Sequence, residues 1–140
     1  MNDPHPADKV AMSREEAERL FASCELHRAV GLELLDWESG RVRFRFTPPA
    51  MARSGEGGTV HGGAIMTALD VAACFAVISV AGQDCFTVDL RVDFLRPAAG
   101  APLVAAGTVL RVGRRLGSAD AVLTGPEDKL LATARGTFTW

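Results

Sequence analysis

The stretch that most constrains this chain is GGAIMTALDVAACFAVISVAG, residues 62–82, in which nearly every position is apolar or small. Wound as a helix it has no polar face, so the rest of the chain must cover it on every side. One carboxylate, Asp70, sits in the middle of it. Burying an ionised group without partners is costly, so the run raises two questions together: what wraps it, and why it holds an aspartate. A membrane span is the competing reading for the part from Ala64 to Ala81. Asp70 and Ser79 interrupt that part and no Lys or Arg flanks it, which argues against a span.

The wrapping is legible on both sides. GLELLDWESGRVRFRFTP reads as two strands joined at Ser39-Gly40, with Val42, Phe44 and Phe46 turned inward and Arg41, Arg43 and Arg45 left wet. A Pro/Gly-rich stretch at 48–58 reads as a loop. After the helix, CFTVDLRVDFLRP alternates Val88, Leu90, Val92 and Phe94 against Thr87, Asp89, Arg91 and Asp93. PLVAAGTVLRVGRR, GSADAVLTG and KLLATARGTFTW supply three further strands with Gly or Pro between them. At the N-terminal side, SREE at 13–16 has the form of a capping box. Leu20, Phe21 and Cys24 follow at helical spacing, which predicts a short amphipathic helix from about Ser13 to His27. The order is an α+β pattern, antiparallel strands curled about one central helix.

A chain of 140 residues has room for one such core. Residues 1–12 are expected to be a flexible N-terminus and 13–140 a single domain. A net charge of −2 gives no reason to expect nucleic acid or an anionic membrane as partner. Three cysteines without CxxC spacing, after an N-terminus, MNDPHPADKV, that has no apolar signal core, point to the cytoplasm. His5 and His27 stand at no informative spacing, and no metal-ligand pattern or phosphate-binding glycine loop is visible.

TVHGGAIMTALD at 59–70, TVDLRVDFLRPA at 87–98 and VLRVGRRL at 109–116 together resemble the hotdog-fold acyl-CoA thioesterases, in the group that includes the phenylacetate-pathway and 4-hydroxybenzoyl-CoA enzymes with an acidic residue midway along the helix. The specific element is a carboxylate nine residues after His-Gly-Gly, followed by the strand motif. The resemblance spans roughly Gly31 to Trp140. It implies a sheet of about six strands around the helix, dimers with active sites at the subunit interface, and frequent pairing of dimers into tetramers. The implied partner is an acyl-CoA ester, with CoA as part of the substrate and no further cofactor. It also implies that Gly62 polarises the thioester and that Asp70 acts as nucleophile or general base.

The residues support that chemistry independently. Thioester hydrolysis needs a group that activates water or attacks the carbonyl, and donors for the oxygen on which charge develops. Gly62 and Gly63 open the helix, where backbone N–H groups are unpaired and the macrodipole is positive. Asp70 lies eight residues beyond Gly62, on the order of 12 Å along the axis and too far to serve the same carbonyl. Two antiparallel helices across a two-fold axis would bring Gly62 of one chain near Asp70 of the other.

Several residues carry a second reading. Asp70 is alternatively a buried carboxylate paired across a dimer, and His61 a helix-start residue that only bonds backbone. Thr87 matches a Ser or Thr that holds water in similar enzymes, but alternation sets it on the face opposite Val88 and Leu90. Cys74 shares Asp70's helix face, where a thiol orients water poorly. Arg111, Arg114 and Arg115 are candidates for CoA phosphates or a solvated hairpin. Similar enzymes often carry Asn or Gln six residues before the His, where this chain has Gly55, flanked by Ser54 and Glu56. That departure keeps open a non-catalytic acyl-CoA-binding protein as the alternative. A hotdog dehydratase, which pairs a catalytic His with a carboxylate in another motif, fits less well.

Overall fold

The computed structural model describes residues 11–56 and 58–140; His5 and most of the N-terminal stretch expected to be flexible lie outside them. Two short helices, α1 (Arg14–Ala22) and α2 (Glu25–Ala29), precede strands β1 (Leu32–Glu38) and β2 (Arg41–Phe46). A small hairpin, β3 (Arg53–Ser54) and β4 (Thr59–Val60), leads into the long helix α3 (Gly62–Ala81). Strands β5 (Phe86–Phe94), β6 (Leu103–Val112), β7 (Leu116–Thr124) and β8 (Leu130–Thr139) complete the chain. Six strands form one antiparallel sheet in the order β1-β2-β6-β7-β8-β5, with α3 in contact with every one of them. This is the hotdog arrangement. The stretch at 48–58, read as loop, holds β3, and β4 follows directly after it.

Burial follows the alternation. Val42, Phe44 and Phe46 are buried while Arg41, Arg43 and Arg45 are exposed, Arg43 and Arg45 pairing with Asp36 and Glu33 of β1. Helix α3 lies so close to the sheet that a Cβ on Gly107 of β6 would collide with the Ala72 carbonyl, so only glycine fits there. The helix is long and apolar enough to cross a membrane, but it is mostly buried inside its own sheet. Its one fully buried polar side chain has a use: Ser79 Oγ accepts from the Gly40 N–H at 2.7 Å and donates to the Ala76 carbonyl, tying the β1–β2 turn to the helix. Gly82, at φ 74°, ends the helix in the left-handed conformation.

Two expectations change. The predicted N-terminal helix is two helices. The capping box forms, with Ser13 Oγ accepting from the Glu16 N–H and Glu16 accepting from the Ser13 N–H. The chain then leaves the helix at Ser23, whose hydroxyl donates to the Leu20 carbonyl at 2.6 Å, and Cys24 is extended. Serine competes for backbone groups in this way and favours helix ends. The second change is in β5, where Val88 is 57% exposed and Phe94 51%. β5 is the edge of the sheet, and among the described residues nothing covers that part of it.

Candidate active site

Asp70 emerges from the middle of α3, half-buried, at a cleft of about 230 Å³. The walls come from three places: Leu20, Cys24 and His27 around the α1–α2 break, Asp84 and Cys85 after α3, and Thr87 at the start of β5. Thr87 Oγ1 donates to Asp70 Oδ1 at 2.7 Å. Strict alternation would have turned Thr87 away. A β-bulge corrects it: Thr87 pairs with Phe138 and Asp89 with Thr137, so Val88 is the extra residue. One inserted residue flips the side chains before it, and Thr87 joins Leu90 and Val92 on the helix side. Burial raises the Asp70 pKa above the ordinary carboxylate value, while the Thr87 hydrogen bond and, more weakly, His27 pull it back. The carboxyl is therefore easier to protonate than a free aspartate and keeps one oxygen, Oδ2, without a protein donor among the described residues.

At the start of α3 the two glycines differ. His61 caps the helix, its Nδ1 accepting from the Gly63 N–H at 2.9 Å. That amide is occupied, so of the two donors expected from Gly62 and Gly63 only the Gly62 N–H has no partner among the described residues. His61 Nδ1 is an acceptor here, which gives the ring a capping part and leaves its proton on Nε2. A side chain on Gly62 would press on the Phe94 ring at 3.3 Å. Gly62 thus lies against the far end of β5 and Asp70 against its beginning. Within one chain the two do not converge.

The β6–β7 hairpin forms an open depression lined by Arg111, Arg114, Arg115 and Leu116. All three arginines are exposed, and none makes an ion pair among the described residues. Register places them: Leu116 pairs with Thr139, which pairs with Phe86, so the hairpin lies at the same end of the sheet as Thr87. Ser54, Gly55 and Glu56 are exposed at the tip of the β3–β4 hairpin, and a side chain on Gly55 would meet nothing.

Cys24, Cys74 and Cys85 are free thiols, all at the cleft. Burial pushes the Cys85 thiol up to about 12, helped by Asp84. It pushes Cys74 up as well, with Cys85, Asp70 and Asp84 adding to it. Neutral thiols of this kind are poor nucleophiles. Among the described residues no group of three His, Cys, Asp or Glu side chains is placed to hold a metal ion. The residue that sequence reasoning passed over is His27. Only the break in the N-terminal helix brings it to the cleft, and no motif announces that break.

A family model described as the thioesterase superfamily matches residues 57–132. The medium/long-chain acyl-CoA thioesterase YigI of Escherichia coli strain K12 is 31% identical over 128 residues, 80% of this chain and 83% of that protein. Among solved structures, the E. coli PaaI protein from the phenylacetic acid degradation operon aligns with a TM-score of 0.82 at 25% identity, over 89% of this chain and 90% of that one. A thioesterase family protein from Silicibacter pomeroyi aligns with a TM-score of 0.80 at 26% identity, over 87% and 93% of the two chains.

Proposed function

The chain belongs to the thioesterase superfamily, and from that premise we propose that it hydrolyses acyl-CoA thioesters, adding water to the carbonyl and releasing a carboxylic acid and CoA. The observation that carries the reading is the Asp70–Thr87 pair, a carboxylate with a raised pKa oriented by one hydroxyl at 2.7 Å inside a cleft. Thr87 has its single proton committed to Oδ1, which leaves Oδ2 to take a proton from water. Asp70 is the general base: as water attacks the carbonyl carbon its proton passes to Oδ2, and collapse of the tetrahedral oxyanion expels CoA thiolate, which takes that proton from Asp70 and restores the carboxylate. The Gly62 N–H, at the positive end of α3, is the donor for the oxyanion.

Because Gly62 and Asp70 face opposite ends of β5, the site is completed by a second copy of the chain, one supplying the amide and the other the carboxylate. The edge of the sheet supports this. Phe86, Val88 and Phe94 lie exposed along β5, which has no neighbouring strand on its outer side among the described residues, a pattern that calls for a partner strand. The side chains of Arg111, Arg114 and Arg115, charged and without an ion-pair partner among the described residues, suit the CoA phosphates.

The test is release of free thiol from a panel of aromatic and aliphatic acyl-CoAs, wild type beside Asp70→Asn. Hydrolysis that falls by about 10²–10⁴-fold in the variant is the expected outcome, the range for a lost general base. CoA esters that bind to the wild type without thiol release would make the cleft a binding site instead, the reading to which Gly55 points. Replacing Arg114 and Arg115 together by Ala should raise KM roughly tenfold and leave kcat near wild type, as expected when uniform binding is removed.

A further inference from the structure

His27 is held more tightly than a surface histidine needs to be. Its Nδ1 lies 2.9 Å from the Phe21 carbonyl, an oxygen that can only accept, so the Nδ1 proton is fixed in place. The ring stacks on Phe21 with centroids 4.8 Å apart and meets Phe75 of α3 edge-on at 5.8 Å. Nε2 is the nitrogen left to gain or lose a proton, and it has no hydrogen-bond partner among the described residues. The ring also lines the cleft that holds Asp70. The other ionisable groups there are Asp84 after α3, and the thiols of Cys24, Cys74 and Cys85. On α2 itself Glu25 and Arg28 are exposed. Among the cleft's lining residues, then, His27 alone can carry positive charge, and it shares the cleft with two carboxylates.

We propose that His27 is a positioning residue of the cleft: as the pH falls and Nε2 gains its proton, the cation keeps the Asp70 carboxylate ionised and extends activity to lower pH. The inference rests on the reading of Asp70 as the catalytic base. As residue types, a histidine gains its proton at higher pH than an aspartate does. Asp70 titrates higher than usual because it is buried, so without a nearby cation its working range would close early. A clamped ring with one free nitrogen supplies that cation without closing the cleft by a salt bridge.

The experiment compares wild type with His27→Gln, His27→Phe and His27→Arg. Gln keeps a donor for the Phe21 carbonyl, Phe keeps the ring stacking, and both lose the charge; Arg carries it at every pH. The Asp70 side-chain carboxyl is titrated by carbon NMR, a reading that needs no turnover, and kcat/KM for an acyl-CoA ester is followed from pH 4.5 to 8.5. Expected is an upward move of the Asp70 titration in whichever neutral variant folds. At pH 5 a roughly two- to fivefold loss of kcat/KM should accompany it, the size of one partly solvated charge interaction. Little change should be seen at pH 8, and Arg should restore the low-pH activity. An Asp70 titration unmoved in a folded neutral variant overturns the proposal, whatever the activity. Absence of hydrolysis by the wild type overturns the catalytic reading instead, and the carboxyl titration still decides whether His27 acts on Asp70.

Discussion

Asp70 and Asp120 are the same residue on opposite sides of one sheet, and the fold treats them in opposite ways. Asp120 projects from the outer face of β7 opposite Arg135 of β8, which grips both of its oxygens at 2.6 and 2.8 Å. Its pKa is lowered, chiefly by that hydrogen bonding. Asp70 has one hydroxyl donor, no ion pair among the described residues, and a pKa raised by burial. A carboxylate satisfied by a bidentate arginine is spoken for and has little basicity to offer. One left with a single donor in a cleft is held where a proton can return to it. The arginines repeat the lesson: Arg43 and Arg45 are paired on the outer face, while Arg111, Arg114 and Arg115 at the hairpin make no ion pair among the described residues.

The sharpest way to break the comparison is to neutralise each aspartate. Asp120→Asn should leave thiol release within about twofold of wild type, against the loss of about 10²–10⁴-fold expected for Asp70→Asn; similar losses in both would erase the distinction. Removing only the hydroxyl beside Asp70 should act more gently. Thr87→Val is expected to lower kcat about tenfold and to move the acid limb of kcat/KM upward, because a donor to the ionised form is gone. Thr87→Ser should restore both, and a pH–rate profile that does not move would remove Thr87 from the site.

The smallest effect is on stability, and its sign distinguishes the two carboxylates. Asp70's folded pKa lies above its unfolded one, so its ionisation opposes folding: the penalty is absent below the ordinary carboxylate range and grows as pH rises through the raised value. Asp70→Asn should therefore raise Tm by about 2–4 °C at pH 7, with the gain vanishing toward pH 3. Asp120's folded pKa is depressed, so its contribution is complete above the ordinary range and is lost as pH falls through the folded value. Asp120→Asn should lower Tm at pH 7, by about a degree for an exposed pair. Denaturation curves from pH 3 to 8 check both, and equal signs at pH 7 would contradict the two environments.

Much of this architecture could be read from the chain. Val42, Phe44 and Phe46 announced a half-buried strand, the run at 62–82 a covered helix, and SREE the start of α1, because each depends on neighbours within a few residues. Of the candidate site, what could be read was the place of Gly62 at the start of that helix and of Asp70 along it. Simple alternation sets Thr87 on the opposite face, since a bulge at Val88 is settled by pairing with β8. Gly63 looks like a free donor in the sequence, yet the His61 ring occupies its amide. His27 gave no signal at all, because its position depends on where the chain turns after Phe21 and on the rings of Phe21 and Phe75 around it.

The sequence by itself determined that a sheet must enclose one apolar helix and that a carboxylate would stand midway along it, since periodicity and composition act locally. Only the tertiary structure decided what that carboxylate meets. Hydrogen-bond partners are chosen by strand register, helix breaks and ring packing among residues far apart in the chain, and a shift of one residue in any of them changes which side chain arrives.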